Sequence, residues 1–189
     1  MFTPKIIPSR LITDGAILIV DVDYREAEDY ASIAGVLIQD WSSTECAVFT
    51  IAMDGVPPYE TGQFYKRELP CILELLKHIH VKLGCIVVDG YVFLGHDQHD
   101  GLGAKLYHET SIPVIGVAKT HFDGTPADAF VTRNNSIKPL YVTAIGGDQT
   151  SARSCVESMA GDFRIPGMLK YVDHVCRSFI PPNKAVQEI

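Results

Sequence analysis

Apolar residues occur along this chain in short runs, and several of these runs end abruptly in an acidic residue. The clearest run is Cys85–Val88, which is followed by Asp89 and Gly90. Four consecutive apolar residues between glycines are typical of a strand that is buried on both faces of a sheet. Asp89 then lies at the carboxyl end of that strand, where ligands bind in open α/β sheets. The alternative is an Asp that only caps the following turn.

The N-terminal part of the chain predicts three antiparallel strands. Residues 16–24 form an apolar run that closes with Asp21 and Asp23, and residues 31–39 and 45–53 are two further strand candidates. The short polar connection between these last two predicts a hairpin. Because Asp21 and Asp23 differ by two positions, their side chains share one face of the strand.

A helical spacing of apolar residues follows the three strands. It predicts the first long helix over residues 63–83. Pro70 is expected near its first turn, where the missing N–H costs nothing. Glu68 is therefore expected close to the start of this helix.

The second half of the chain predicts alternating strands and helices. Helices are predicted over residues 102–110, 151–159 and 168–178, strands over 112–118 and 140–145, and irregular structure over 120–135. We expect one domain over residues 1–189. Residues 1–15 are expected to form a peripheral lead-in, where Pro4 and Pro8 disfavour regular structure, and residues 180–189 a peripheral tail.

Three antiparallel strands, a helix, and then alternating strands and helices predict an α/β protein with a mixed β-sheet flanked by helices. This order resembles the ribonuclease H-like fold. The active site of that fold takes carboxylates from the first strand, the first helix and the end of the fourth strand. Asp21, Glu68 and Asp89 fall at those three places.

Composition narrows the class of protein. The chain has 189 residues, of which 47% are hydrophobic and 21% charged, as in ordinary globular proteins. No apolar run is long enough for a membrane span and no signal peptide is found, so we expect a cytoplasmic protein with no membrane partner. Five scattered cysteines without a Cys-x-x-Cys pair favour reduced thiols. The net charge of −7 lowers the expectation of nucleic-acid binding unless basic groups are clustered.

Carboxylates at these positions point to a metal. Carboxylate oxygens are the hard ligands that Mg²⁺ prefers, and Mn²⁺ suits the same ligands. Such an ion activates water and stabilises the charge that develops when a phosphodiester is cut. Lys119, at the end of the neighbouring predicted strand, is placed to neutralise the scissile phosphate. The residues therefore predict metal-dependent phosphodiester hydrolysis.

Several short motifs also occur in the order of a known family. They are Val20-Asp21-Val22-Asp23-Tyr24, Pro58-Tyr59-Glu60-Thr61-Gly62, Arg67-Glu68, Val88-Asp89-Gly90, Ile115-Gly116-Val117-Ala118-Lys119 and Phe163-Arg164-Ile165-Pro166. By these motifs the chain resembles the endonuclease V family, nucleases that cut near deaminated purines.

The resemblance implies a role for each matching residue. Asp21 and Asp89 match metal-binding aspartates, Glu68 matches the catalytic Glu at the metal, and Lys119 matches a Lys that contacts phosphate. Tyr59 falls in the wedge that separates strands. The resemblance also implies a pocket for a flipped hypoxanthine, lined at Gly62, Phe64, Gly90 and Gly116.

The chain departs from the family pattern where nucleic acid should lie. In the wedge, Glu60-Thr61 replaces Ile-Pro, although intercalating wedges are normally apolar or aromatic. The loop after Asp89 lacks a Pro-Arg pair, and its His96 lies one residue late, either as a catalytic helper or as a solvated residue. Gly147-Asp148-Gln149 replaces Gly-His-Arg. We expect no dedicated zinc site at His96 and His99.

The sequence thus predicts an Mg²⁺-dependent endonuclease that hydrolyses a phosphodiester bond near inosine or another deaminated purine, in DNA or RNA. Two alternatives stay open. One is a nucleic-acid-binding module of the same fold with weak or lost cleavage, and the other is a structure-specific nuclease with another substrate. Three converging carboxylates argue against the module. No oligomeric state is predicted.

Overall fold

Strands from both halves of the chain build one large sheet with helices on its two faces. The computed structural model describes residues 2–55 and 65–182. Its strands are β1 (Lys5–Ile6), β2 (Ala16–Arg25), β3 (Tyr30–Ile38), β4 (Glu45–Asp54), β5 (Leu83–Asp89), β6 (Phe93–Leu94), β7 (His99–Asp100), β8 (Val114–Ala118), β9 (Phe130–Val131) and β10 (Leu140–Ile145). Its α-helices are α1 (Tyr65–Leu76), α2 (Leu102–Thr110), α3 (Gln149–Ser158) and α4 (Gly167–Ser178).

The large sheet has the strand order β1-β4-β3-β2-β5-β8-β10-β9. Neighbours among β2, β3 and β4 are antiparallel, β5 is parallel to both β2 and β8, and β10 is antiparallel to β8. The predicted mixed α/β sheet is therefore confirmed.

Strand register brings Asp21, in the middle of β2, beside the carboxyl ends of β5 and β8. Val20 of β2 pairs with Val88 of β5, so Asp21 and Asp89 follow a paired couple. Asp89 in turn pairs with Val117 of β8. Because the three strands are parallel in this region, Asp21 lies level with the carboxyl ends of β5 and β8.

Side chains alternate between two apolar layers along each central strand. Ile19 and Val87 pack in the layer covered by α3 and α4, whereas Val20 and Val88 pack in the layer covered by α1 and α2. Both layers are fully closed to solvent at their centres. This burial on both faces explains why β2 and β5 appear in the sequence as nearly continuous apolar runs.

The first helix is shorter than the predicted range 63–83. Within the described residues it runs from Tyr65 to Leu76, and β5 already begins at Leu83. Ile79 and Val81 pack against the same apolar layer as α1 from the connecting turn, which is why the helical pattern continued past the helix end. Pro70 lies inside α1 rather than in its first described turn, and it removes one helical hydrogen bond there.

Two short edge strands were not predicted. In the lead-in, Lys5–Ile6 pairs in parallel with Glu45–Cys46, and the Lys5 ammonium lies 2.6 Å from a Glu45 carboxylate oxygen. Within the range predicted to be irregular, Phe130–Val131 pairs with β10. A two-residue strand is too short to produce an alternating pattern. Within the described ranges, no helix is long and apolar enough to cross a membrane.

Candidate active site

Three of the residues singled out from the sequence lie at the sheet edge where β2, β5 and β8 meet. The side chains two positions earlier, Ile19, Val87 and Val117, pack beneath α3 and α4. Side chains alternate along a strand, so Asp21, Asp89 and Lys119 lie on the same face of the sheet as α3 and α4. The Lys119 ammonium lies 2.5 Å from Asp89 Oδ2, and both side chains are partly exposed. The edge therefore presents two carboxylates and one cation to solvent.

Asp21 is held in a strongly unfavourable place for a negative charge. Burial, followed by the charges of Asp89 and Asp173, raises its pKa from 3.8 to about 7. Lys119 acts in the opposite direction and lowers the pKa of Asp21. A nearby cation would stabilise the ionised form of this carboxylate.

Glu68 reaches the same region from the other layer. It is the fourth described residue of α1 and its side chain is buried. Burial first, and then the charges of Asp21 and Asp89, raise its pKa well above the usual range. The fold thus brings together the three carboxylates that the sequence placed on the first strand, the first helix and the fourth main strand.

Asp173 is a fourth carboxylate that the sequence reasoning missed. It lies on α4, which packs across β2, and its charge raises the pKa of Asp21. Arg177, one turn later, lies 2.8 Å from Asp173 and forms an ion pair with it. An acidic residue on a predicted helix is usually solvated, and only the packing of α4 on the sheet reveals its position. Apolar Val172 and Cys176, which are both buried, lie on either side of Asp173 in the sequence, and this pattern could have indicated that Asp173 lies close to the sheet.

Two arginines hold the elements that carry the site. The Arg67 guanidinium lies 3.9 Å from the Tyr24 ring centroid and donates to Glu26 across 3.1 Å, which ties the start of α1 to the end of β2. Arg67 also lowers the pKa of its neighbour Glu68. Arg164 donates to the backbone carbonyls of Lys119 and, at 2.7 Å, Pro139. Arg164 therefore fixes the backbone from which Lys119 extends.

Comparison with known proteins identifies the family. The family model for endonuclease V matches residues 6–159, a range that contains Asp21, Glu68, Asp89 and Lys119. The chain belongs to the endonuclease V family. The resemblance stated from the short motifs is thereby confirmed.

Individual members of the endonuclease V family agree in both sequence and fold. An endonuclease V from Streptomyces coelicolor is 27% identical over 185 residues, which cover 87% of this chain and 78% of that protein. The crystal structure of endonuclease V from Streptomyces avermitilis is 25% identical with a TM-score of 0.69, over 93% of this chain and 83% of that one. A Ciona intestinalis endonuclease V, in complex with a 23-mer DNA containing an inosine, has a TM-score of 0.69 at 15% identity, over 89% and 90% of the two chains. The ribonuclease H-like fold is confirmed.

Of the three glycines expected in the base pocket, Gly90 and Gly116 are described by the structure, and they lie in different surroundings. Gly90 has φ of +144°, and, its own neighbours in the chain aside, no atom of the described residues lies within 4 Å of the position of a Cβ there. A Cβ on Gly116 would lie 2.6 Å from the Gly90 carbonyl oxygen and 3.0 Å from Thr143 Oγ1. The absence of a side chain at Gly116 thus allows the backbone after Asp89 to approach β8. Their contact with a base stays a prediction.

Other residues expected at the nucleic-acid interface have varied outcomes. Tyr59, Gly62 and Phe64, together with the altered wedge, lie outside the described residues. His96 is 78% exposed, and its Nε2 lies 3.5 Å from Asp123 Oδ2 in a neighbouring loop. Its role as a catalytic helper stays a prediction. Asp148, which replaces a family His, caps α3 by accepting a hydrogen bond from the Ser151 N–H at 2.7 Å.

The donor set fits a hard divalent cation. Among the described residues, no group of three or more His, Cys, Asp and Glu side chains forms a cage that could hold a metal ion. Mg²⁺ does not need such a cage, because it keeps several waters and binds through one or two carboxylates plus substrate phosphates. Asp21 and Asp89 can supply oxygen ligands here. Burial and the charges of Asp89 and Asp173 raise the pKa of Asp21, and a bound cation would offset this penalty on the ionised form.

Asp21→Asn is expected to stabilise the metal-free protein at neutral pH. Between pH 4 and 7 folded Asp21 keeps a proton that the unfolded chain releases, so this residue lowers the free energy of unfolding as pH rises. A change from 3.8 to about 7 corresponds to at most about 4 kcal/mol. Urea denaturation in EDTA should therefore give the variant a higher free energy of unfolding than the wild type at pH 8, but not at pH 4.

Asp128→Asn, at an exposed position, is the charge-matched control for this measurement. Mg²⁺ should raise the free energy of unfolding of the wild type more than that of Asp21→Asn. A bound cation offsets the cost that burial and the charges of Asp89 and Asp173 place on ionised Asp21. An equal gap between wild type and Asp21→Asn at pH 4 and pH 8 would contradict the electrostatic description of Asp21.

Proposed function

We propose that this chain is a divalent-metal-dependent endonuclease that hydrolyses a phosphodiester bond near inosine, or another deaminated purine, in DNA or RNA. Mg²⁺ is the proposed metal, and Mn²⁺ would substitute for it. The observation that carries the proposal is electrostatic. The charges of Asp21 and Asp89 raise the pKa of Glu68, the charge of Asp89 raises that of Asp21, and the Lys119 ammonium lies 2.5 Å from Asp89. Family membership supports the same chemistry.

Each side chain at the edge has a distinct part in the proposed reaction. Asp21 and Asp89 would hold the metal, and Glu68 supplies the third carboxylate from α1. When bound, the metal activates water and stabilises the charge that develops on the phosphate. Lys119 would leave its pair with Asp89 in part to contact a non-bridging phosphate oxygen, where a positioned cation stabilises the transition state.

Support for an inosine substrate comes from the family and from one local feature. The Ciona intestinalis relative was crystallised with DNA containing an inosine. In this chain Gly90 directly follows Asp89, and, its own neighbours in the chain aside, no atom within the described ranges lies within 4 Å of the position of a Cβ there. A base flipped out of its stack would lie beside Gly90. Flipping costs a few kcal/mol, and it costs least when the base is poorly paired.

The proposal is tested with a panel of labelled oligonucleotides, made as DNA and as RNA, with product ends mapped at nucleotide resolution. Strands carrying one inosine should be cut at a fixed position near it, and matched adenosine strands should not. Preferential cutting of uracil, abasic, flap or mismatch substrates would favour the structure-specific nuclease instead. Binding to inosine strands without cleavage in Mg²⁺ or Mn²⁺ would favour the binding module.

A further inference from the structure

A cavity along α4 takes no part in the proposed hydrolysis. It has a volume of about 400 Å³ and is lined by Phe2, Phe163, Gly167, Lys170, Tyr171 and His174. Cavities that bind small molecules typically have volumes of about 300–1,000 Å³. The cavity, which we call the Phe163 pocket, is therefore large enough for a single nucleobase.

The Phe163 pocket is joined to the catalytic edge at two points. Phe163 precedes Arg164, whose guanidinium holds the backbone carbonyl of Lys119. Lys170 and His174 are one turn apart on α4 and flank Asp173, whose charge acts on Asp21. A strand that places a phosphate at Lys119 would thus bring a neighbouring nucleotide to this pocket.

The walls of the Phe163 pocket have the chemistry of a stacking site. Phe163 is 54% exposed, although a phenylalanine ring is normally buried. The Lys170 ammonium lies over one face of that ring, 4.3 Å from its centroid, which leaves the other face for a base. Proteins that bind single strands combine aromatic rings, on which bases stack, with cations that follow the phosphates.

The negative charge of the whole chain limits where nucleic acid can bind. Its net charge is −7, which disfavours general contact with nucleic acid. Binding then depends on the few places where cations are concentrated beside apolar surface. The Phe163 pocket is such a place, because the Lys170 ammonium lies over the Phe163 ring there.

We propose that the Phe163 pocket binds one unpaired nucleotide of the strand that is cut, with its base stacked on Phe163 and a phosphate at Lys170. The inference rests on the proposed function insofar as nucleic acid is the substrate. It names the substrate class more closely. Because a base cannot stack on Phe163 while it remains paired within a duplex, the favoured substrates are single strands, loops and frayed ends beside the scissile bond.

The test measures binding separately from cleavage. A short single-stranded oligonucleotide containing 2-aminopurine is titrated with protein in EDTA, following both anisotropy and base fluorescence. Phe163→Ala and Phe163→Leu should each weaken binding about tenfold, because Leu keeps apolar volume but cannot stack as an aromatic ring. Phe163→Tyr should bind as the wild type does. Lys170→Gln should reduce the slope of log affinity against log salt by about 0.7.

Phe122→Ala is the matched control, because Phe122 is 44% exposed and lies outside the pocket. Wild-type affinity in both Phe163→Ala and Phe163→Leu would overturn the inference, and so would absence of binding by the wild type. A wild-type dimer that Phe163→Ala converts to monomer, with nucleotide affinity unchanged, would assign the pocket to a second copy of the chain and also overturn the inference.

The pocket and the proposed reaction can fail separately. If the wild type cleaves inosine strands and Phe163→Ala binds the oligonucleotide equally well, the pocket is rejected and the reaction is not. If Phe163→Ala loses binding but the wild type cleaves no substrate, the reaction is rejected and the pocket is not.

Discussion

Asp89→Ala is expected to lower the cleavage rate of an inosine strand by at least about 100-fold and to leave the fold intact. Replacing residues that merely orient metal ligands commonly costs 10–100-fold, so loss of a ligand itself should cost no less. The side chain of Asp89 is 39% exposed and pairs with Lys119, so little packing is lost. Single-turnover cleavage and circular dichroism measure the two effects on the same preparation.

Asp128→Ala removes the same charge from an exposed site and should cleave as the wild type does. Calorimetric titration with Mn²⁺ provides a second readout, in which Asp89→Ala should bind metal more weakly. Full cleavage activity by folded Asp89→Ala would mean that the metal lies elsewhere. That result would remove the main support for the proposed site.

Lys119→Gln is expected to slow cleavage by about 100-fold at saturating substrate, the effect of removing one group that stabilises transition-state charge. Two consequences combine in this variant. The phosphate loses a cation, and Asp89 loses the ammonium that lies 2.5 Å from it. Lys119 also lowers the pKa of Asp21, so the Gln variant should need a higher pH for full activity.

Lys119→Arg keeps the charge and should recover part of the rate, whereas Lys138→Gln at an exposed site should have no effect. The measurement is single-turnover cleavage as a function of pH. A Lys119→Gln rate equal to that of the wild type would show that this ammonium does not contact the reacting phosphate. A wild-type pH profile in that variant would separately reject the coupling to Asp21.

The buried centre of the fold was predictable because its physical cause is local. A strand enclosed by parallel neighbours has to be apolar on both faces, and β2 and β5 therefore stand out as continuous apolar runs ending in Asp21 and Asp89. Once two such strands are expected to lie side by side, their terminal carboxylates are expected to meet. Glu68 followed from its place at the start of the next helix.

Features that depend on tertiary packing were not predictable in this way. The end of α1 was missed because Ile79 and Val81 pack on the helix layer from a turn and so prolong the helical pattern. Asp173 is an ordinary acidic residue in its local sequence and becomes significant only because α4 crosses β2. The Phe163 pocket likewise needs Phe2, from the lead-in, to lie against Gly167 on α4.

Single-turnover cleavage of one inosine-containing strand, with Mg²⁺ and then with EDTA, tests the central claim most directly. The claim is that the carboxylates at this sheet edge direct metal-dependent hydrolysis beside a deaminated purine. It predicts a single cut at a fixed distance from the inosine in Mg²⁺, no cut in EDTA, and no cut in the matched adenosine strand. Cutting that persists unchanged in EDTA, or that treats inosine and adenosine strands alike, would contradict it.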